Sequence, residues 1–320
     1  MPAPPLPHAP GACAGGHGPL LRRAVARWQQ LVTPAWLAAL LGGQSVEAAP
    51  AGEWRLFEVG CHAITGFLHG HVPGAAYLDT HDLEGGPLWN KLPDRALLRI
   101  LLERGIRHDT TVLLYGRNDQ AAARAAHLLL YAGVKDVGLL DGGFEAWATG
   151  AHPVMPGPAL ERPSVTDFGD RFPGHPEYLL DTRRVKTLLR QQDGVLVSIR
   201  TWSEFIGLTS GYSYIAEKGD IPGAHWGRAG RDGDVNSMSD FQGPDGSMRP
   251  PAEIAAFWAE AGIHSSQRTV FYCGTGWRAS LAFFYAWLMD WERISVYDGG
   301  WYEWSRDPGH PVASGVRPPC

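Results

Sequence analysis

Residues 269–280 read Thr269-Val270-Phe271-Tyr272-Cys273-Gly274-Thr275-Gly276-Trp277-Arg278-Ala279-Ser280. Thr269 to Tyr272 is a short β-branched and aromatic run, the pattern of a buried strand. Trp277 to Met289 is almost wholly apolar and long enough for a buried helix. The tight loop between them holds one cysteine, two glycines and an arginine. A thiol at the carboxyl end of a parallel strand, facing a helix N-terminus, sits where open α/β sheets bind ligands. Glycines let backbone N–H groups turn inward and form an anion-binding concavity. The loop is therefore expected to hold a nucleophilic cysteine in a cradle of N–H groups, with Arg278 adding positive charge.

The surrounding sequence occurs twice. Glu103-x-Gly105-Ile106 returns as Glu260-x-Gly262-Ile263, Tyr115 as Tyr272, Asp141-Gly142-Gly143 as Asp298-Gly299-Gly300 and Trp147 as Trp304, all 157 positions apart. Val72-Pro73-Gly74-Ala75 matches Ile221-Pro222-Gly223-Ala224, and His152-Pro153-Val154 matches His310-Pro311-Val312. Each unit alternates strands with helices, so the expected fold class is α/β: two tandem domains, each a parallel sheet flanked by helices. The strands are predicted near 54–59, 75–78, 111–115 and 137–140, then near 195–199, 224–226, 269–272 and 294–297. The helices are predicted near 93–104 and 120–132, then near 178–192, 251–261 and 277–289. Residues 1–30, rich in Pro, Gly, Ala and His over the first 18, are expected to be disordered. The first domain covers 31–152, a Pro- and Gly-rich linker 153–176, and the second domain 177–320. An excursion at 207–219 and a polar loop at 228–248 both follow strands and are expected to overhang the site.

Bulk properties narrow the function. The chain of 320 residues is 44% apolar and 19% charged, enough for packed cores without disulfides. A net charge of −5 argues against a nucleic-acid partner held through phosphates. Cys13, Cys61, Cys273 and Cys320 form no CxxC pair and no disulfide framework, which fits a reducing compartment. No metal site is read, since no His and carboxylate cluster has ligand spacing. The longest apolar run, Leu281 to Met289, has nine residues, too short to span a bilayer. No signal-peptide pattern follows Arg22 and Arg23, so the expected location is cytoplasmic; the alternative is a periplasmic protein whose native signal peptide is missing.

Cys273 aligns with Gly116, so the first domain has no nucleophile at its equivalent loop, Gly116-Arg117-Asn118-Asp119-Gln120. The Cys273-Gly274-Thr275-Gly276-Trp277-Arg278 loop, the Ile221-Pro222-Gly223-Ala224 segment and the Asp298-Gly299-Gly300 turn resemble a tandem-domain rhodanese-family sulfurtransferase over residues 31–315. Phe271 to Ser280 is most similar to bacterial multi-domain thiosulfate sulfurtransferases. The resemblance implies that Cys273 takes a sulfur atom from a small donor, thiosulfate or 3-mercaptopyruvate. It then holds that sulfur as a persulfide and yields it to a thiol or protein-cysteine acceptor, with no cofactor or metal. Gly274, Thr275, Gly276 and Trp277 would bind the donor through the loop, Arg278 would offer a fork of donors, and Arg200 would contact donor oxygens. Glu204 would orient Arg278, and Asp298 would brace its Gly-Gly turn. Trp277 and Trp226 would wall the pocket.

Two other chemistries share parts of the pattern. Phosphatases of related fold place their arginine six positions after the cysteine; here it is five, a tighter cradle. Gly274-x-Gly276-x-x-Ala279 with Asp298 meets much of a dinucleotide-binding fingerprint, but the first unit has no such glycines.

Overall fold

A computed structural model describes residues 21–159 and 163–316. The first domain runs β1 (Leu31–Val32), α1 (Pro34–Leu41), β2 (Trp54–Gly60), α2 (Ile64–His69), β3 (Ala76–Asp79), a small antiparallel hairpin β4 (Glu84–Gly85) and β5 (Asn90–Lys91), α3 (Asp94–Glu103), β6 (Thr111–Gly116), α4 (Asp119–Ala132), β7 (Asp136–Leu140) and α5 (Gly143–Thr149). The second runs β8 (Leu179–Leu180), α6 (Thr182–Gln191), β9 (Val195–Ser198), α7 (Trp202–Phe205), β10 (His225–Trp226), α8 (Pro251–Glu260), β11 (Thr269–Tyr272), α9 (Trp277–Leu288), β12 (Ile294–Tyr297) and α10 (Gly300–Arg306).

The two five-stranded sheets have orders β1-β7-β6-β2-β3 and β8-β12-β11-β9-β10, with all main-sheet pairings parallel. Strand for strand they are the same sheet, as the repeated sequence requires. The central strands β6 and β11 are buried along their whole length, because helices cover both faces.

Helices α4 and α9 are buried almost all round, Arg124, His127 and Arg278 included. Each lies on its own sheet and also packs against the other, so neither has a solvent face. Residues of both helices belong to one apolar cluster that runs through both domains, including Leu128, Leu129, Phe283 and Phe284. The domain interface is thus continuous core, and α4 and α9 bring their N-terminal loops to the same region.

Several expectations change. The helix predicted over 178–192 is shorter. Pro176–Tyr178 is a 3-10 turn, Leu179–Leu180 joins the sheet edge, and the helix starts behind Asp181, whose side chain accepts the Arg184 N–H at 2.8 Å. Helices α1, α2, α5, α7 and α10 were not predicted. Residues 1–20 lie outside the described residues, but 21–30, expected to be disordered, are packed. Val25 is buried, the Arg27 N–H donates to the Leu288 carbonyl at 3.0 Å, and Arg22 pairs with Asp141 at 3.2 Å. Composition misleads there because the segment is held by α9 and by an ion pair rather than by its own pattern.

Candidate active site

Cys273 follows β11 directly, and the loop 274–276 carries the chain into α9. Gly276 adopts φ +106, the left-handed conformation that glycine tolerates best, and its N–H donates to Cys273 Sγ at 3.2 Å. The first-turn N–H groups of α9 have no intrahelical acceptors, so the positive end of the helix faces the same place. The cradle is narrower than the sequence implies, because the Gly274 N–H donates instead to the Tyr212 hydroxyl at 3.1 Å. A side chain at 274 would collide with the Tyr212 ring.

The loop is clamped from behind. Trp301 N–H donates to the Cys273 carbonyl (2.8 Å) and Tyr302 N–H to the Gly274 carbonyl (3.1 Å). Gly300, at φ +56, lets this turn approach: a Cβ there would lie 2.5 Å from the Gly274 oxygen. This close approach accounts for the Gly-Gly pair after Asp298. Asp298 itself accepts from Arg124 Nη2 (2.6 Å) and from the Lys91 N–H (2.9 Å), so it joins the two domains.

Arg278 and Glu204 form a buried, two-pronged ion pair, Nη1 to Oε2 at 2.8 Å and Nη2 to Oε1 at 2.9 Å. Arg278 Nη2 also donates to the Tyr212 hydroxyl at 2.7 Å, while its Nε–H has no hydrogen-bond partner. Burial acts to raise the Glu204 carboxyl, but Arg278 outweighs it and holds the group down at about 2. Glu204 also closes a capping box, accepting the Thr201 N–H at 2.9 Å. Glu204 and Arg278, which the sequence reading set together, are thus in direct contact.

Cys273 is only 1% exposed, yet its side of the loop opens on a cavity of about 300 Å³. Thr275, Trp277 and Arg278 line it from the second domain. Tyr212 and Tyr214 come from the 207–219 excursion, and Val235 and Asn236 from the 228–248 loop. The first domain supplies Cys61, Glu84, Trp89 and Gln120. Those four were missed, and nothing local in the sequence marks them.

Arg200 does not line the cavity, contrary to expectation. It is fully buried, donating to the carbonyls of Gly219 (2.7 Å) and Ser210 (3.2 Å) and pairing with Asp220 (3.4 Å) and Glu204 (3.5 Å). Its donors hold the base of the 207–219 excursion. Trp226 also lies away from the cavity, with its indole N–H on the Arg200 carbonyl (2.8 Å) and its ring against Trp202.

The first domain's equivalent loop explains its lack of a nucleophile. Gly116 ends β6, and a Cβ there would overlap the Asn118 carbonyl, since α4 begins one residue sooner than α9 does. Folding also gathers side chains that sequence spacing kept apart. Gly60 pairs with Asp79 across β2 and β3, so His62, Asp79 and His81 converge, against the expectation of no metal-ligand cluster.

Two repeated parallel sheets with one cysteine-bearing strand-to-helix loop define a sulfurtransferase of paired rhodanese domains. The rhodanese-like domain model matches residues 33–149 and 181–307, and the chain belongs to that family. It is 52% identical over 292 residues to thiosulfate sulfurtransferase YnjE of Escherichia coli, covering 91% of this chain and 67% of YnjE. The crystal structure of YnjE superposes with a TM-score of 0.89 over 92% of this chain and 70% of that one. The anaerobic ergothioneine biosynthesis enzyme from Chlorobium limicola, solved with trimethyl histidine, is 36% identical with a TM-score of 0.86, covering 92% of this chain and 72% of the enzyme. The sulfur carrier protein TtuD of Thermus thermophilus is 32% identical over 261 residues, 77% of this chain and 86% of TtuD. No helix among the described residues is long and apolar enough to cross a membrane.

Proposed function

We propose that this chain moves sulfane sulfur from thiosulfate, or from 3-mercaptopyruvate, to a thiophilic acceptor through a persulfide on Cys273. The observation that carries this is Cys273 Sγ receiving the Gly276 N–H at the floor of a cavity, at the one of two equivalent loops that has room for a side chain.

The Cys273 thiolate attacks the outer sulfur of thiosulfate. An S–S bond forms to Sγ, the original S–S bond breaks, and its electron pair leaves with sulfite. The Gly276 N–H and the first turn of α9 stabilise negative charge on the attacking and persulfide sulfurs. Arg278 acts mainly through position, since Glu204 neutralises it and its forked end is occupied. The Tyr212 hydroxyl oxygen accepts from Arg278 and Gly274, leaving its own proton to donate to donor oxygens. An acceptor thiolate then attacks the outer persulfide sulfur and regenerates Cys273. Cytoplasmic location and a thiol or protein-cysteine acceptor belong to the same proposal.

A second reading is a persulfide carrier with little turnover of small donors. It is supported by a cavity larger than an inorganic donor requires, walled by Trp89, Tyr212, Tyr214 and Trp277, and by one relative's being a sulfur carrier. Mass spectrometry after incubation with thiosulfate should find one added sulfur atom on the Cys273 peptide, removed by cyanide as thiocyanate. Absence of that adduct with both donors would reject the proposal; an adduct without rapid thiocyanate formation would favour the carrier.

A further inference from the structure

Beside the sulfur-transfer cavity lies a group of side chains that the proposed chemistry does not use. Cys61 and His62 follow β2, while Asp79 ends the neighbouring β3 and His81 lies two residues beyond it. Carboxyl ends of adjacent parallel strands are where such sheets present ligand-binding groups. His81 Nδ1 lies 2.7 Å from Asp79 Oδ1 and 3.9 Å from Cys61 Sγ, and His62 Nδ1 lies 4.0 Å from Asp79 Oδ2. The His62, Asp79 and His81 donors all fall within 4.8 Å of one another.

We propose that Cys61, His62, Asp79 and His81 form a binding site for a borderline-soft divalent cation of the Zn²⁺ class. One sulfur, two imidazole nitrogens and one carboxylate oxygen are the donor types such an ion selects. Ligands at zinc-like bond lengths sit roughly 3.3–3.8 Å apart around a tetrahedron. The separations among His62, Asp79 and His81 bracket that range, while Cys61 Sγ, 3.9 Å from His81 Nδ1 but outside that mutual group, completes the set by a side-chain rotation. A single nitrogen, Nδ1 of His81, faces both the carboxylate and the thiol. His62 stands at φ +51, uncommon for a residue with a side chain. That conformation puts its N–H on Asp79 Oδ2 (2.9 Å) and stacks its ring on His81 with centroids 3.8 Å apart.

An ordinary turn explains part of this, since Asp79 caps the turn Thr80–Asp82. It does not explain two imidazoles and a thiol drawn around one carboxylate. Among the described residues, Asp79 has ion pairs only with these two histidines, so no fixed cation occupies its place. The His62 side chain is 73% exposed and Cys61 is exposed, so an ion can enter from solvent.

The test titrates Zn²⁺ against a chromophoric chelator in the full chain carrying Cys273→Ala, which removes the other described thiol. One equivalent should bind, and His81→Ala and Asp79→Asn should each weaken it at least tenfold. Co²⁺ should give a thiolate-to-metal charge-transfer band that Cys61→Ser removes. Zn²⁺ should also slow alkylation of the Cys61 peptide. Because Asp79 supports a turn, the exposed His62→Ala is the variant that leaves folding untouched, and it should weaken binding too. No stoichiometric binding in the Cys273→Ala chain, or binding indifferent to His81→Ala and His62→Ala, overturns the site. None of these readouts depends on sulfur transfer.

Discussion

Arg124 Nη2, in the domain without a nucleophile, donates to Asp298 Oδ1 of the other domain at 2.6 Å, with both side chains buried. The same guanidinium donates through Nε to Glu84 Oε2 at 2.9 Å, and Glu84 Oε1 accepts the Trp277 indole N–H at 2.5 Å. Trp277 opens α9, and Asp298 opens the turn whose N–H groups hold the Cys273 loop. One cation from the first domain therefore fixes the active-site loop at both ends. The chemically silent repeat acts as the other half of the site.

Removing that cation strands two buried carboxylates. Arg124→Ala should cost about 3–5 kcal/mol. Urea unfolding measures the loss, and sulfur transfer should fall even where the variant remains folded. Arg124→Lys, which cannot span both carboxylates in a fork, should recover only part of it.

Gly116 has no room for a side chain beside Asn118. Gly116→Cys should therefore lower stability by about 1–3 kcal/mol without creating a second sulfur-accepting centre. Thermal unfolding and peptide mass spectrometry after thiosulfate treatment report the two halves of this prediction.

Glu204 titrates at about 2, against an ordinary carboxyl value of 4.5. A depressed folded-state value contributes stability above pH 4.5, and that contribution disappears as pH falls toward 2. Glu204→Gln should flatten this part of the stability–pH curve. At neutral pH it should cost about 3–5 kcal/mol by leaving Arg278 buried without its counter-charge. Denaturant titrations from pH 2 to 7 check both.

Asp119 shows the opposite sign. Burial, with Asp141 and Glu145 adding repulsion, raises its carboxyl to about 7 against a hydrogen bond from Gln242. The folded chain holds this proton between about pH 4 and 7 while the unfolded chain does not, so stability falls as pH rises through that window. Asp119→Asn should remove the slope and stabilise the protein above pH 7 by roughly 2–4 kcal/mol. The comparison needs only unfolding curves at pH 5 and pH 8.

Cys273→Ser should abolish sulfur transfer and leave the fold intact. Tyr212→Phe removes the acceptor shared by Arg278 and Gly274. Its expected effect is about a tenfold loss in kcat/KM, the equivalent of one hydrogen bond. Thiocyanate formation assays both, with circular dichroism as the folding control.

The legible parts of this protein share a cause. The repeat showed itself because equivalent positions meet equivalent backbone demands: Gly74 and Gly223, Gly105 and Gly262, and Gly143 and Gly300 all adopt positive φ. The nucleophile showed itself because strand, Cys-Gly-Thr-Gly loop and apolar helix are contiguous. The Arg278–Glu204 pair was expected from the family resemblance alone; the capping box at Thr201 that fixes where Glu204 points emerged only in the structure. Arg200 was misjudged for the converse reason. A strand-end arginine reads the same whether its donors face a cavity or the carbonyls of Gly219 and Ser210.

By itself the sequence determined two parallel α/β units and a single cysteine loop, because periodicity, turn glycines and repetition are local properties of the chain. Only the tertiary structure decided that Glu84, Trp89, Gln120 and Cys61 complete the cavity and that Arg124 braces it from the opposite repeat. Those contacts join residues far apart in the chain across the α4–α9 interface. Side chains that meet only after two helices pack leave no spacing to read beforehand.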